Sequence, residues 1–239
     1  VCFSPEADVA SAVVVGVIGL DAVRHVSRPQ DVALASLPLV FAAHSLTEAF
    51  VWWGLRGDVS RSAGQQATWL YLLVALVVVP ILAPVAVTIA EPPGPRRRFM
   101  AFLSLLGIGV GLVLLGAIVT GPVHAQVQGH HIGYDVSLQY GTQLTALYVV
   151  ATCGVLLASS SRRIAIFGLL NVVAVALLAW LMASAFISLW CSWAALTSIA
   201  IARHLRHPEQ PTPTLDSKHD PRGTAANPMR AGAASAAGG

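Results

Sequence analysis

His44 and Glu48 are the residues of this 239-residue chain best placed to do chemistry. They are the one ionisable pair set deep within its long apolar stretches, and they stand four residues apart. On a helix that spacing puts both side chains on one face. An imidazole beside a carboxylate can relay a proton, serve as general base or ligate a divalent metal. At a rise of ~1.5 Å per residue, Glu48 falls within roughly 10 Å of the end of its helix and His44 one turn deeper. A carboxylate there is costly in lipid and must turn toward protein or a wet cavity, which marks it as a functional candidate. The alternative is a structural hydrogen-bonded pair, with Gln143, Tyr148 or Asn171 as partners.

More donors follow along the chain. His124, His130, His131, Tyr134 and Asp135 lie in a segment between two apolar stretches that reads as a long loop. Two adjacent histidines cannot face the same way in regular structure, so at most one of His130 and His131 meets a pocket unless the loop bends sharply. Together with Cys2, His44 and Glu48 they form a candidate set for zinc, iron or manganese, the cofactors that imidazole, thiolate and carboxylate donors suit. Exposed histidines without a role are the alternative. Cys2 has three open readings: a ligand or nucleophile, a disulfide partner of Cys191 in an oxidising exterior, or a plain apolar thiol. If Val1 stands for a removed initiator, the freed amine and thiol of Cys2 would form a chelating pair.

The elements that must position these groups are membrane helices. Hydrophobic residues make up 56% of the chain, charged residues 10%, and mean hydropathy is +0.71, far from soluble domains. Crossing the hydrocarbon core takes about 20 apolar residues. Such runs occupy residues 7–26, 32–55, 66–90, 98–120, 141–160, 163–182 and 184–205. The expectation is an all-α bundle of seven transmembrane helices over residues 1–206, with a disordered cytoplasmic tail over 207–239, where Pro, Ala, Gly and Ser dominate. The first run is not expected to be a cleaved signal, because no basic residue precedes it and Asp8 sits at its start.

Basic residues in short loops stay on the cytoplasmic side. Arg24, Arg28, Arg96 to Arg98, Arg162, Arg163, Arg203 and Arg206 all fall on one side if the N-terminus is outside and the C-terminus cytoplasmic, leaving Arg56 and Arg61 on the other. The net charge of +3 then reflects topology and contact with the lipid bilayer, and argues against a nucleic-acid partner. All six tryptophans and four tyrosines fall in the outer half of this arrangement. Aromatic belts normally flank both faces, so a one-sided set suggests rings lining an outward vestibule; a plain outer belt is the rival reading. Pro80 and Pro84 should leave backbone carbonyls to be satisfied by neighbouring helices. Gly107, Gly109 and Gly111 have the spacing of close helix packing.

The opening Val1-Cys2-Phe3-Ser4, the segment from His44 through Glu48 to Trp52, and His130-His131-Ile132-Gly133-Tyr134 resemble an uncharacterised bacterial multi-pass membrane-protein family. Its members begin Met-Cys-Phe-Ser and carry Gln-Gln-x-x-Glu-Gly-x-x-Trp in the second helix. The resemblance implies a bacterial cytoplasmic (inner) membrane location and a polar signature of Cys2, Glu48, His130 and His131, but no activity. This chain departs from the pattern with His44, Ser45 and Ala49 where Gln, Gln and Gly stand. Zincin, nucleophile-elbow and P-loop motifs are missing. Haem is not expected, since a bis-histidine site needs a second deep histidine. Three functions remain: an outward-facing metal or enzymatic site acting on a lipid or small molecule, a proton-linked carrier switched by Glu48, and a structural or sensory subunit.

Overall fold

The computed structural model describes residues 4–129, 131–136, 138, 140–181, 198–203 and 206. All lie in one compact unit, Val1–Pro208. In chain order the helices are α1 (Pro5–Arg24), α2 (Val32–Arg56), α3 (Arg61–Leu73), α4 (Val79–Ala90), α5 (Pro95–Thr120), α6 (Gly141–Ala158) and α7 (Arg162–Leu181). A π turn, Val74–Val78, joins α3 to α4 without a break. Among the described residues, four helical stretches are long and apolar enough to cross a membrane: Pro29–Arg56, Arg61–Ala90, Pro95–Thr120 and Gly141–Ala158. Helices α1 and α7, of 20 residues each, cover the expected first and sixth spans. The seventh and the tail lie largely outside the described residues; of residues 182–239 the structure describes 198–203 and 206, which are helical.

One expectation needs correction. The chain is mainly helical but not all-α, because the segment read as a long loop is a hairpin of β1 (Val123–Gln128) and β2 (His131–Val136), paired antiparallel. Val123, Val127, Ile132 and Val136 alternate with polar residues at the strand period. Gly129, at φ +62°, supplies the left-handed backbone the tight reversal needs. A search for 20-residue apolar runs does not register so short a period.

Local sequence sets the helix ends. Ser4 and Ser60 each accept a hydrogen bond from the amide three residues on, both at 3.3 Å, which caps α1 and α3. Gly57, at φ +85°, closes α2. Val13, Val17 and Leu20 on α1, and Phe102 and Leu105 on α5, are more than half exposed. Apolar faces of this extent suit lipid, not water.

Packing follows the small residues. Gly16 and Gly19 let α1 lie against Ala42 and Leu39 of α2, and Gly54 meets Gly64 where α2 crosses α3. A side chain at Gly107 would collide with the Pro80 carbonyl oxygen, and one at Gly111 would press on Ile81 and the Val77 carbonyl; Gly109 faces open space. The Pro80 carbonyl would ordinarily bond the amide four residues on, and that residue is Pro84, which has none. Gly107 thus places its backbone against a carbonyl left free by a proline.

The π turn has the same logic. The Val79 amide reaches back to the Val74 carbonyl, so the next bond in that pattern would join Pro80 to Ala75, and Pro80 has no N–H. The Tyr148 hydroxyl of α6 donates to the Ala75 carbonyl instead, at 3.0 Å. The expected proline carbonyls therefore meet groups on α5 and α6.

The two ends of the bundle differ. At one, the buried Glu91 carboxylate accepts from the Ser160 amide at 3.0 Å and the Ser159 hydroxyl at 3.2 Å, tying the α4 and α6 ends together. Arg206 holds Asp21 at the end of α1, at 2.7 Å. Arg24, Arg28, Arg96 to Arg98, Arg162 and Arg163 belong to these helix ends. At the other end, Arg56 lies over the Trp52 ring and 3.8 Å from Glu6, while Gln65 donates to the Val123 carbonyl at 3.4 Å. That is the end capped by the hairpin.

Two outcomes follow. Gly107→Val should destabilise the detergent-solubilised protein by roughly 1–3 kcal/mol or more, whereas Gly109→Ala should be close to neutral in the same thermal melt. Glu91→Ala removes the acceptor of the Ser160 amide and the Ser159 hydroxyl and should cost about 1–3 kcal/mol, read as a lowered melting midpoint.

Candidate functional site

Beneath the hairpin, α2, α3, the π turn, α5, α6 and β2 line a cavity of about 220 Å³. Its polar lining is His44, Tyr71, Tyr134, Tyr148 and Thr145; leucines, valines and Ala75 make up the rest, and among the described residues no Asp, Glu, Lys or Arg lines it. His44 stacks on Tyr71 with ring centres 4.1 Å apart and planes 15° from parallel. The other face of Tyr71 carries Tyr134, at 4.5 Å and 15°. Tyr71 is fully buried between its two neighbours. Such stacking adds ~0.5–1.5 kcal/mol per aromatic pair beyond burial, and here it ties α2, α3 and the hairpin into one wall.

Each ring is placed by its element. His44 lies on the buried face of α2 with Phe41, Ser45, Glu48 and Trp52. Tyr71 shares a face of α3 with Gly64, Ala67 and Thr68. Tyr134 is on the face of the hairpin that carries Ala125, Ile132 and Val136. Tyr148 reaches the cavity from α6 and is anchored by its bond to Ala75, itself a lining residue. His44 is 4% exposed, and its Nδ1 has no hydrogen-bond partner.

The residues singled out in the sequence are only partly brought together. His44 lines the cavity, and Glu48 is fully buried one turn further along α2. Cys2, Cys191 and His130 lie outside the described residues. His131 pairs with Gln128, on the hairpin face opposite Tyr134, while His124 pairs with Asp135 on that same opposite face. The pleat therefore puts His131 on the face opposite Tyr134, the ring that stacks on Tyr71 and so faces His44. Among the described residues no three His, Cys, Asp or Glu side chains gather as a metal ion would need. Of the suggested structural partners of the pair, Tyr148 bonds Ala75, Asn171 donates to the Phe167 carbonyl at 3.0 Å, and Gln143 is exposed.

The aromatic asymmetry has structural content. Tyr71, Tyr134 and Tyr148 line the cavity, and Trp52 is buried in the core beside it. Trp190 and Trp193 lie outside the described residues. Sequence reasoning passed over Asp8 and Ser11. Both are buried on the face of α1 that continues through Ala12, Val15, Gly19 and Ala22. The signal was present, since polar groups at positions 8 and 11 begin a stripe of small residues at helical spacing.

Neither a curated protein nor a solved structure matches this chain. A family model does, described as a family of unknown function (DUF6629), and it spans residues 1–215, which takes in the described helices, the hairpin and the first residues beyond them. By that coverage the chain belongs to the DUF6629 family.

Proposed function

We propose that this is an integral membrane protein that holds a neutral, largely apolar small molecule or lipid moiety in the cavity beneath the hairpin, with His44 as its polar anchor. The carrying observation is a cavity of about 220 Å³ with no charged residue among its described lining, against which a buried histidine lies with Nδ1 unpartnered. A buried polar atom of that kind invites a hydrogen-bonding ligand or water. The apolar walls disfavour an ion and favour a ring or alkyl group bearing one polar substituent. An apolar cavity of ~150 Å³ accommodates benzene, so there is room here for a larger group.

The membrane reading rests on the four long apolar helices and their exposed apolar faces. In it the chain makes seven spans in a bacterial inner membrane, with the arginine-bearing end in the cytoplasm and the cavity opening on the opposite side. The segregation of basic residues to the helix ends around Glu91 and Asp21 supports that sidedness. A transition-metal centre on Cys2, His44, Glu48, His130 and His131 has less support, because the strand register puts His131 on the hairpin face opposite Tyr134.

The reading is tested with 1-naphthol, a neutral fused ring carrying one hydroxyl, titrated into detergent-purified protein and followed by tryptophan and tyrosine fluorescence. Saturable binding is expected. It should weaken about tenfold in His44→Phe, which keeps the stack but loses one hydrogen bond, and vanish in Thr145→Phe, which fills the cavity. The charged 1-naphthalenesulfonate should not compete. Equal affinity in the wild type and Thr145→Phe would place the probe elsewhere and overturn the assignment.

A further inference from the structure

A second polar site lies between α1 and α2, apart from the cavity lining. The two helices run antiparallel, with Gly19 against Leu39 and Gly16 against Ala42. Five residues further along each helix, Ser11 comes level with Thr47 and Glu48; three more bring Asp8 level with Phe50, between Glu48 and Trp52. Asp8 and Glu48 are both fully buried. Asp8 and Ser11 share the α1 face directed at α2, and Glu48 lies on the buried face of α2. The register thus gathers two carboxylates and a hydroxyl at one level of the bundle.

Ser11 points to a ligand independently of the acids. Thr47, Thr68, Thr145 and Thr152 each donate to the carbonyl four residues back, at 2.8–3.0 Å. That is the usual outlet for a hydroxyl on a helix in apolar surroundings. Ser11 does not use it: its side chain is 9% exposed, and its Oγ is buried without a hydrogen-bond partner. A hydroxyl turned away from its own backbone, in a layer with two buried carboxylates, is a waiting oxygen donor.

We infer that Asp8, Ser11 and Glu48 form a binding site for a hard cation held between α1 and α2. Oxygen-only donors select sodium, magnesium or calcium over the softer transition metals. A cation at this level also offsets the cost of placing two like charges together in an apolar interior. Neighbouring helix carbonyls and water would complete its coordination. The site differs from the transition-metal set considered above in its donor chemistry and in drawing its second carboxylate from α1.

The experiment uses the full chain, purified in detergent, stripped with EDTA and exchanged into choline chloride. Thermal unfolding is then followed while sodium, magnesium or calcium chloride replaces choline at constant ionic strength. One of the three should raise the midpoint saturably, and the arms identify which. Ser11→Ala should weaken that response about tenfold, and Asp8→Asn and Glu48→Gln should abolish it. Identical wild-type melting in all four salts would overturn the proposal, even if the variants fail to fold. An unchanged cation response in Asp8→Asn would overturn it too.

Discussion

A carbonyl oxygen in an apolar surrounding must find a donor or a close polar contact, and the centre of this molecule is arranged around two carbonyls that proline leaves unserved. Pro80 withholds the amide that Ala75 would use, and Pro84 withholds the one Pro80 would use. Tyr148 answers the first from α6, and the bare backbone of Gly107 lies against the second from α5. The requirement is strict where water is excluded. It places α5 and α6 against one continuous helical rod, and it turns Tyr148 and Ala75 into neighbouring parts of one wall.

The cavity is a consequence of that arrangement. The π turn widens the helix where Ala75 and Leu76 line the space, and such turns recur at functional sites. The hairpin then lays Tyr134 on Tyr71, and Tyr71 lies on His44. Three rings from three elements form one stack, so moving the hairpin would uncover Tyr71, and moving α3 would uncover His44. The result couples a polar atom deep in the bundle to the element that caps it.

Much of this was legible in the residues. The long apolar runs marked six helices to within a few residues, apart from α3, which begins five residues earlier than expected. Pro80, Pro84, Gly107 and Gly111 announced close contacts, and Gly109 did not share the role its spacing suggested because it lies on another face. His44 stood out as the deep histidine, and it does line the cavity. The hairpin was hidden by its shortness, and with it the placement of His131 on the face opposite Tyr134. Asp8 was hidden because a carboxylate near a helix start looks like a solvated flank until the packing partner of that helix is known.

Composition and periodicity by themselves determined that this chain forms long apolar helices, where those helices end, and which carbonyls would need outside help. These are local properties, set by side-chain transfer energies and by the missing amide of proline. Only the tertiary structure decided which helix answers each carbonyl, which rings meet, and that Ser11 and Asp8 share a level with Glu48. Those facts depend on the register between elements distant in sequence, and register is set by how small residues such as Gly16, Gly19 and Gly54 let two particular backbones approach. No single helix carries that information.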